Sequence, residues 1–429
     1  MLKKLTFFCI SVLLFQNLSH AQINYYEFFS DNILRIDYER RGSIQNENIS
    51  EVAFLKEELW SGCRTKTIEP YDYGDYKIEV RIPENNQLLY NFSYSSLFAE
   101  YIYTTEGADQ SKKFEETVRL PYPVKPVKIA FLKRKKTTND WILQYEILFD
   151  PSKTEVSNAT FEKEVLFKKL VDSGNPAKKA DIVFVADGYT EEQTDKFFND
   201  AIRISEYVLN CIPFNEHKDK FNIWAVFVAS EDEGITDPVE NRQNNTALGT
   251  NFSTFDTDRY LMTEHHFTLR NIVSVVPYDH IIIVANSNKY GGGGIYNFYA
   301  TCPSDDIFTD FLVVHEFGHS FAGLADEYGS DGSVIDYYNL QVEPPEPNIT
   351  TLIDFQSKWQ HMVEDDVPVP TPSDEWKYRK KVGAFEGAGY SQKGIYRPVY
   401  DCTMRSVKYN DFCPVCQQAI TNTILFFSE

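Results

Sequence analysis

The segment His315-Glu316-Phe317-Gly318-His319 sets the tightest limit on what this chain can fold into. Histidines four residues apart on a helix lie one turn from each other and only about 40° out of phase, so their imidazoles meet on one face. The flanks support a helix. Phe308, Phe311, Leu312 and Val313 supply a core-facing side, Ser304-Asp305-Asp306 offers an N-cap with an acidic first turn, and Gly323 is a natural place to stop.

Such a helix has a definite chemistry. His315 and His319 can fill two corners of a zinc tetrahedron. Glu316, beside the first histidine, can reach the open position, where a metal-bound water must lose a proton. This is the spacing of zinc metalloprotease helices. A catalytic site needs a third protein ligand. The chain can bend back after Gly323, and Asp326 and Glu327 follow at once. Placement favours Asp326 over Glu327. A more distant choice, Glu343, is followed by Pro344-Pro345, which argue against a ligand helix there.

The chain is 429 residues long with 42% hydrophobic residues, a globular composition with room for two domains. Lys3-Lys4, the apolar run from Leu5 to Phe15 and Ser19-His20-Ala21 read as a secretory signal peptide over residues 1–21. Export to the periplasm, cell surface or medium follows. That run is too short to span a bilayer, and no later segment is long and apolar enough. From 22 to 155 the pattern alternates, as in Leu34–Tyr38, Tyr76–Val80, Lys128–Leu132 and Trp141–Phe149, with turn signals between. This predicts an all-β sandwich accessory domain. A linker texture runs from about Pro151 to Pro176. From 165 to 429 strands such as Asp181–Ala186 and His280–Ala285 alternate with helices, one of them opened by Thr190-Glu191-Glu192-Gln193 as a capping box. This predicts an α/β domain with a largely parallel sheet.

A net charge of −21 repels phosphate backbones and argues against a nucleic-acid partner. The acidic run Ser230–Asp237 raises calcium as a second ion, but it lacks EF-hand spacing and reads as a solvated loop. Gly291 to Gly294 permit close approach of another backbone, so Gly292 and Gly293 are candidates for an edge that pairs with a peptide substrate. Tyr390, Tyr396, Arg397 and Tyr409 are candidates to assist an oxyanion. Six cysteines lie beyond the leader. Cys413-Pro414-Val415-Cys416 has the CxxC spacing but no second pair, so a structural disulfide, with Cys402 as one partner, is the expectation over zinc.

The histidine segment resembles the metzincin clan, whose motif is HExxHxxGxxH or the same ending in Asp. Here the glycine falls at 323 and the acid one place late. Asp401-Cys402-Thr403-Met404-Arg405-Ser406 looks like the clan's Met-turn, with Met404 beneath the metal. Taken with Gly323-Leu324-Ala325-Asp326-Glu327-Tyr328, Phe385-Glu386-Gly387-Ala388-Gly389-Tyr390, Gly394-Ile395-Tyr396-Arg397-Pro398 and Cys402-Thr403-Met404, the chain from about Asp181 to Phe426 resembles the bacterial IgA-peptidase family of secreted zinc metallopeptidases. The N-terminal β region looks like that family's accessory domain. The resemblance implies a zincin-like, metzincin-type catalytic domain with one catalytic Zn2+. It implies an endopeptidase acting on host or environmental proteins, immunoglobulin or glycoprotein among the candidates, without singling out immunoglobulin A. A rival reading is a cell-surface binding protein with a structural zinc and a β-sandwich recognition domain. Glu316 separates the two, because a purely structural zinc has no use for a base. Esterase or amidase chemistry at the same metal is a third reading.

Overall fold

The computed structural model describes residues 23–329, 337–408 and 411–428. The signal-peptide segment and Tyr409 lie outside the described residues. The centre is a six-stranded sheet in the order Gly293–Ile295, Tyr299–Pro303, His280–Ala285, Ala180–Asp187, Phe221–Phe227 and Leu166–Val171. The four middle strands are parallel, and the strand at each edge is antiparallel to its neighbour. Leu166–Val171 falls inside the stretch expected to be linker and instead pairs with Phe221–Phe227.

The middle strands are buried on both faces, and their alternation shows what covers each. Ile182, Phe184 and Ala186 join a core with Phe197, Ala201, Val313, Phe317, Phe321 and Ile420. These come from the helices Thr194–Asn210, Thr309–Ala322 and Pro414–Phe427. The capping box predicted at Thr190 and Gln193 is formed. Val183, Val185, Ile281 and Ile283 point the other way. They pack with Leu269, Ile272 and Val273 of the helix His266–Val273, in one continuous core with the N-terminal region.

That region holds two four-stranded sheets. One runs Lys112–Pro123, Phe29–Gly42, Glu47–Glu57, Ser157–Asn158, and the other Leu88–Tyr94, Tyr76–Arg81, Val127–Arg134, Trp141–Phe149. They share a core in which Tyr38 meets Phe131 edge-on and Arg40 lies 3.7 Å over the Tyr76 ring. The region is β-rich but not purely β: Tyr25–Phe28, Leu97–Tyr101 and Thr105–Asp109 are short helices. Polar ties fix it to the central sheet and its helices. Arg35 donates to Asn271 Oδ1 at 2.8 Å, Tyr296 to Glu69 at 2.6 Å, and Arg119 to the Tyr278 carbonyl at 2.8 Å. No helix among the described residues is long and apolar enough to cross a membrane.

Candidate metal centre

The helix carrying the histidines spans Thr309–Ala322, so it starts later than Ser304 predicts. Ser304 instead bonds Asp305 at 2.8 Å, and no side chain caps the helix. Its end is as expected. Gly323 takes the left-handed conformation at φ 61°, which glycine adopts without the cost a side chain imposes. The chain then turns back under a set of clamps. Asn348 accepts from the Ala325 N–H at 2.7 Å and donates to its carbonyl at 2.9 Å. The Glu327 N–H donates to the Met404 carbonyl at 2.8 Å, and the Gly389 N–H to the Asp326 carbonyl at 2.9 Å.

This turn delivers Asp326 to the histidine pair. His315 Nε2 and His319 Nε2 are 3.2 Å apart, and Asp326 Oδ1 lies 3.2 Å from the first and 3.4 Å from the second. A tetrahedral ion with bonds of about 2.0–2.1 Å separates its ligand atoms by about 3.3 Å. The other ring nitrogens are engaged. His315 Nδ1 lies 3.0 Å from the Thr403 carbonyl and His319 Nδ1 2.5 Å from the Leu324 carbonyl. Bonds to carbonyls require Nδ1 to carry the hydrogen, which leaves both Nε2 lone pairs facing Asp326. Asp326 Oδ1 is itself buried without a hydrogen bond. Two lone pairs and an orphaned carboxylate oxygen converging on one point make a donor set that fits a divalent cation. Tyr390 donates its hydroxyl to the other oxygen, Asp326 Oδ2.

The same Asp326 carboxylate also draws a proton toward the imidazoles, so proton and cation compete for the Nε2 atoms. Burial works against protonated histidine, yet the Asp326 carboxylate outweighs it and lifts His319 to about 9. Burial also opposes ionisation of Asp326, but the imidazoles hold it well below the usual carboxylate range. Glu316 has a carboxylate oxygen within 4.8 Å of both histidine ligand atoms, and burial raises its pKa. Met404 is fully buried beneath the helix. A Cβ added to Gly318 would sit 2.9 Å from its Sδ.

The other candidates are placed differently. Gly292 and Gly293 are buried, and the Gly292 backbone already pairs with Arg259 and Leu261. The space a Cβ would need is filled by Glu316 at Gly292, by Met262 at Gly293 and by the Glu316 carbonyl, 2.1 Å away, at Gly294. The glycines let strand and helix close around Glu316. Glu327 turns away from the histidines, and Glu343 bonds Thr351 and the Asp354 N–H. Arg397 holds the carbonyls of Glu386 and Gly387. In the acidic run, Asp237 pairs with Lys289, Glu231 with Asn245 and Glu233 with Gln193. Among the described residues these acids form no metal-ligating group. The expected disulfide is not formed: Cys402, Cys413 and Cys416 are free thiols.

Sequence reasoning missed two charged neighbours. Glu100, from the N-terminal region, bonds Tyr260 and feels the charges of His319 and Glu316. The exposed Arg259 acts on Glu316 and Tyr328. Both arrive through long-range packing that no local pattern announces.

The profile of the family described as IgA Peptidase M64 matches residues 168–381 and 375–424. That of the Peptidase M64 N-terminus matches residues 24–143. No curated protein shows a match to the chain.

Proposed function

Because this chain belongs to the M64 IgA-peptidase family and is therefore a peptidase, we propose that it is an exported, zinc-dependent endopeptidase of metzincin type. In this reading residues 22–155 form an accessory domain of β-sandwich type and residues 165–429 the catalytic domain. His315, His319 and Asp326 hold the zinc, and Met404 is the Met-turn beneath it. The observation that carries the reading is the convergence of both Nε2 atoms and the partnerless Asp326 Oδ1. Zinc bound there supplies a Lewis acid for the scissile carbonyl and lowers the pKa of the attacking water.

The protein's own groups do the rest. Glu316 takes the proton of the attacking water and hands it to the departing amine. Burial raises its pKa above the ordinary carboxylate value, which makes it a stronger base for that proton. Thr403 and Leu324 orient the imidazoles through their carbonyls, and Tyr390 orients Asp326. Arg259, Tyr290 and Tyr328 share the field of Glu316 and are the groups that can steady a developing oxyanion. The substrates are proteins, and the binding-protein reading gives no work to Glu316. The test is Glu316→Gln: zinc is retained, and cleavage of casein or immunoglobulin is lost. Undiminished cleavage defeats the mechanism.

A further inference from the structure

On the far side of the 324–328 turn, four side chains meet that the mechanism does not use. Cys402, Cys413, Cys416 and Glu327 bring three sulfurs and a carboxylate oxygen within 4.8 Å of one another, all buried. Cys402 Sγ lies 4.0 Å from Cys416 Sγ, and Cys416 Sγ lies 3.2 Å from Glu327 Oε1. A disulfide needs sulfurs about 2.05 Å apart. A tetrahedral zinc with bonds of about 2.3 Å to sulfur and about 2.1 Å to oxygen spaces sulfurs by roughly 3.8 Å and sulfur from oxygen by roughly 3.6 Å. The sulfur separation is close to that of a coordination shell and far from a disulfide, and the carboxylate oxygen at 3.2 Å moves outward by a few tenths of an ångström to admit an ion.

We propose that Cys402, Cys413, Cys416 and Glu327 bind a second, structural zinc ion. A separate observation points the same way. Glu327 is fully buried, and its Oε2 has no hydrogen-bond partner. A carboxylate left so in a dry pocket costs several kcal/mol unless it takes up a proton or a cation meets it. The surroundings suit thiolates. The Cys413 N–H points at Cys402 Sγ at 3.2 Å, and the Cys416 N–H at Cys413 Sγ at 3.5 Å. Cys413 caps the 14-residue helix Pro414–Phe427, whose N-terminal dipole favours negative charge. A soft set of three thiolates and one carboxylate, closed to solvent on every side, selects zinc in a structural role.

The placement gives the ion a task. Glu327 follows Asp326, and Cys402 precedes Thr403, whose carbonyl orients His315. The ion ties these two segments to the last helix and so positions the histidine site from behind. The proposal stands apart from the reading of the histidine site, and its test separates them. The full-length protein is purified, its zinc counted by elemental analysis, and zinc exchanged for cobalt. Two ions per chain are expected, with a thiolate-to-cobalt charge-transfer band that histidine and carboxylate ligands cannot produce. A His315→Ala/His319→Ala variant keeps one ion and the band, whereas Cys416→Ser loses both the band and one ion. Should Cys416→Ser fail to fold, zinc X-ray absorption of the unaltered protein decides by its sulfur scatterers. Absence of both band and sulfur scatterers overturns the proposal. So does a disulfide among these cysteines in a non-reduced digest.

Discussion

Asp326 and Glu327 are neighbours in sequence yet serve two clusters of opposite character. Asp326 faces two imidazoles on a helix surface, and the His319 side chain keeps 14% of its exposure. Glu327 faces three sulfurs in a pocket where it and Cys416 are wholly buried. The first cluster has three ligand groups and a carboxylate standing off at one side. The second has four ligand groups and none to spare. A metal that performs chemistry needs an open position and a base, and one that holds a fold needs neither. One extended turn, clamped by Asn348 and Met404, sends consecutive carboxylates to opposite sides and couples the two.

Metal removal should separate the clusters most sharply. A chelator under native conditions abolishes cleavage while the thermal midpoint moves little, because the open site exchanges first. The thiolate site releases its ion only on unfolding, which a metallochromic dye reports. Simultaneous release of both ions with the loss of activity breaks the distinction. Next in size, Glu316→Gln lowers kcat/KM by roughly 10²–10⁴-fold. Metal content and melting temperature stay fixed. A large fall in melting temperature would assign Glu316 to the fold instead. Smaller again, Tyr390→Phe removes the hydrogen bond to Asp326 Oδ2 and lowers metal affinity at the histidine site by about 10–100-fold. Cobalt charge transfer from the sulfurs is unaffected. Unaltered affinity would make that contact incidental.

The two clusters also differ in how far the sequence reveals them. The histidine pair is legible because its geometry is local: a spacing of four residues and a left-handed stop at Gly323 suffice. Asp326 is reachable by the same logic, being on the turn that the stop creates. The sulfur cluster is not, because its ligands are separated along the chain and meet only after the last helix packs against the histidine helix. A lone CxxC reads more readily as a disulfide partner than as a metal ligand. The sheet strands were legible from their apolar runs. What covers the sheet's second face was not: Val183 and Val185 look the same in sequence whether a helix or a β region packs on them. For the same reason Glu100 came to the site unannounced. In the glycine run close approach is legible but the approaching partner is not: Glu316 crowds Gly292 and Gly294, and Met262 crowds Gly293.

The smallest effect concerns pH and separates fold from metal. Glu69 sits in the seam between the N-terminal region and the central sheet, accepting from the Tyr296 hydroxyl at 2.6 Å and the Ser93 N–H at 2.7 Å. Burial lifts its pKa from 4.5 to about 7, with those two bonds pulling back and Asp72 adding to the rise. The folded state therefore holds this proton up to about pH 7, whereas the unfolded chain releases it near 4.5. The stability it contributes is complete below the lower value and is lost as pH climbs through the upper one, with a slope of at most about 1.4 kcal/mol per pH unit. Histidine ligation runs the other way and weakens as pH falls. Glu69→Gln mimics the protonated acid, its carbonyl accepting from Ser93 and its amide donating to the Tyr296 oxygen. Urea midpoints of metal-free protein between pH 5 and 8 should slope downward in the parent chain and flatten in the variant. An identical slope in both would move the sensitivity to another buried acid, Asp181 at about 8 or Glu100 at about 7.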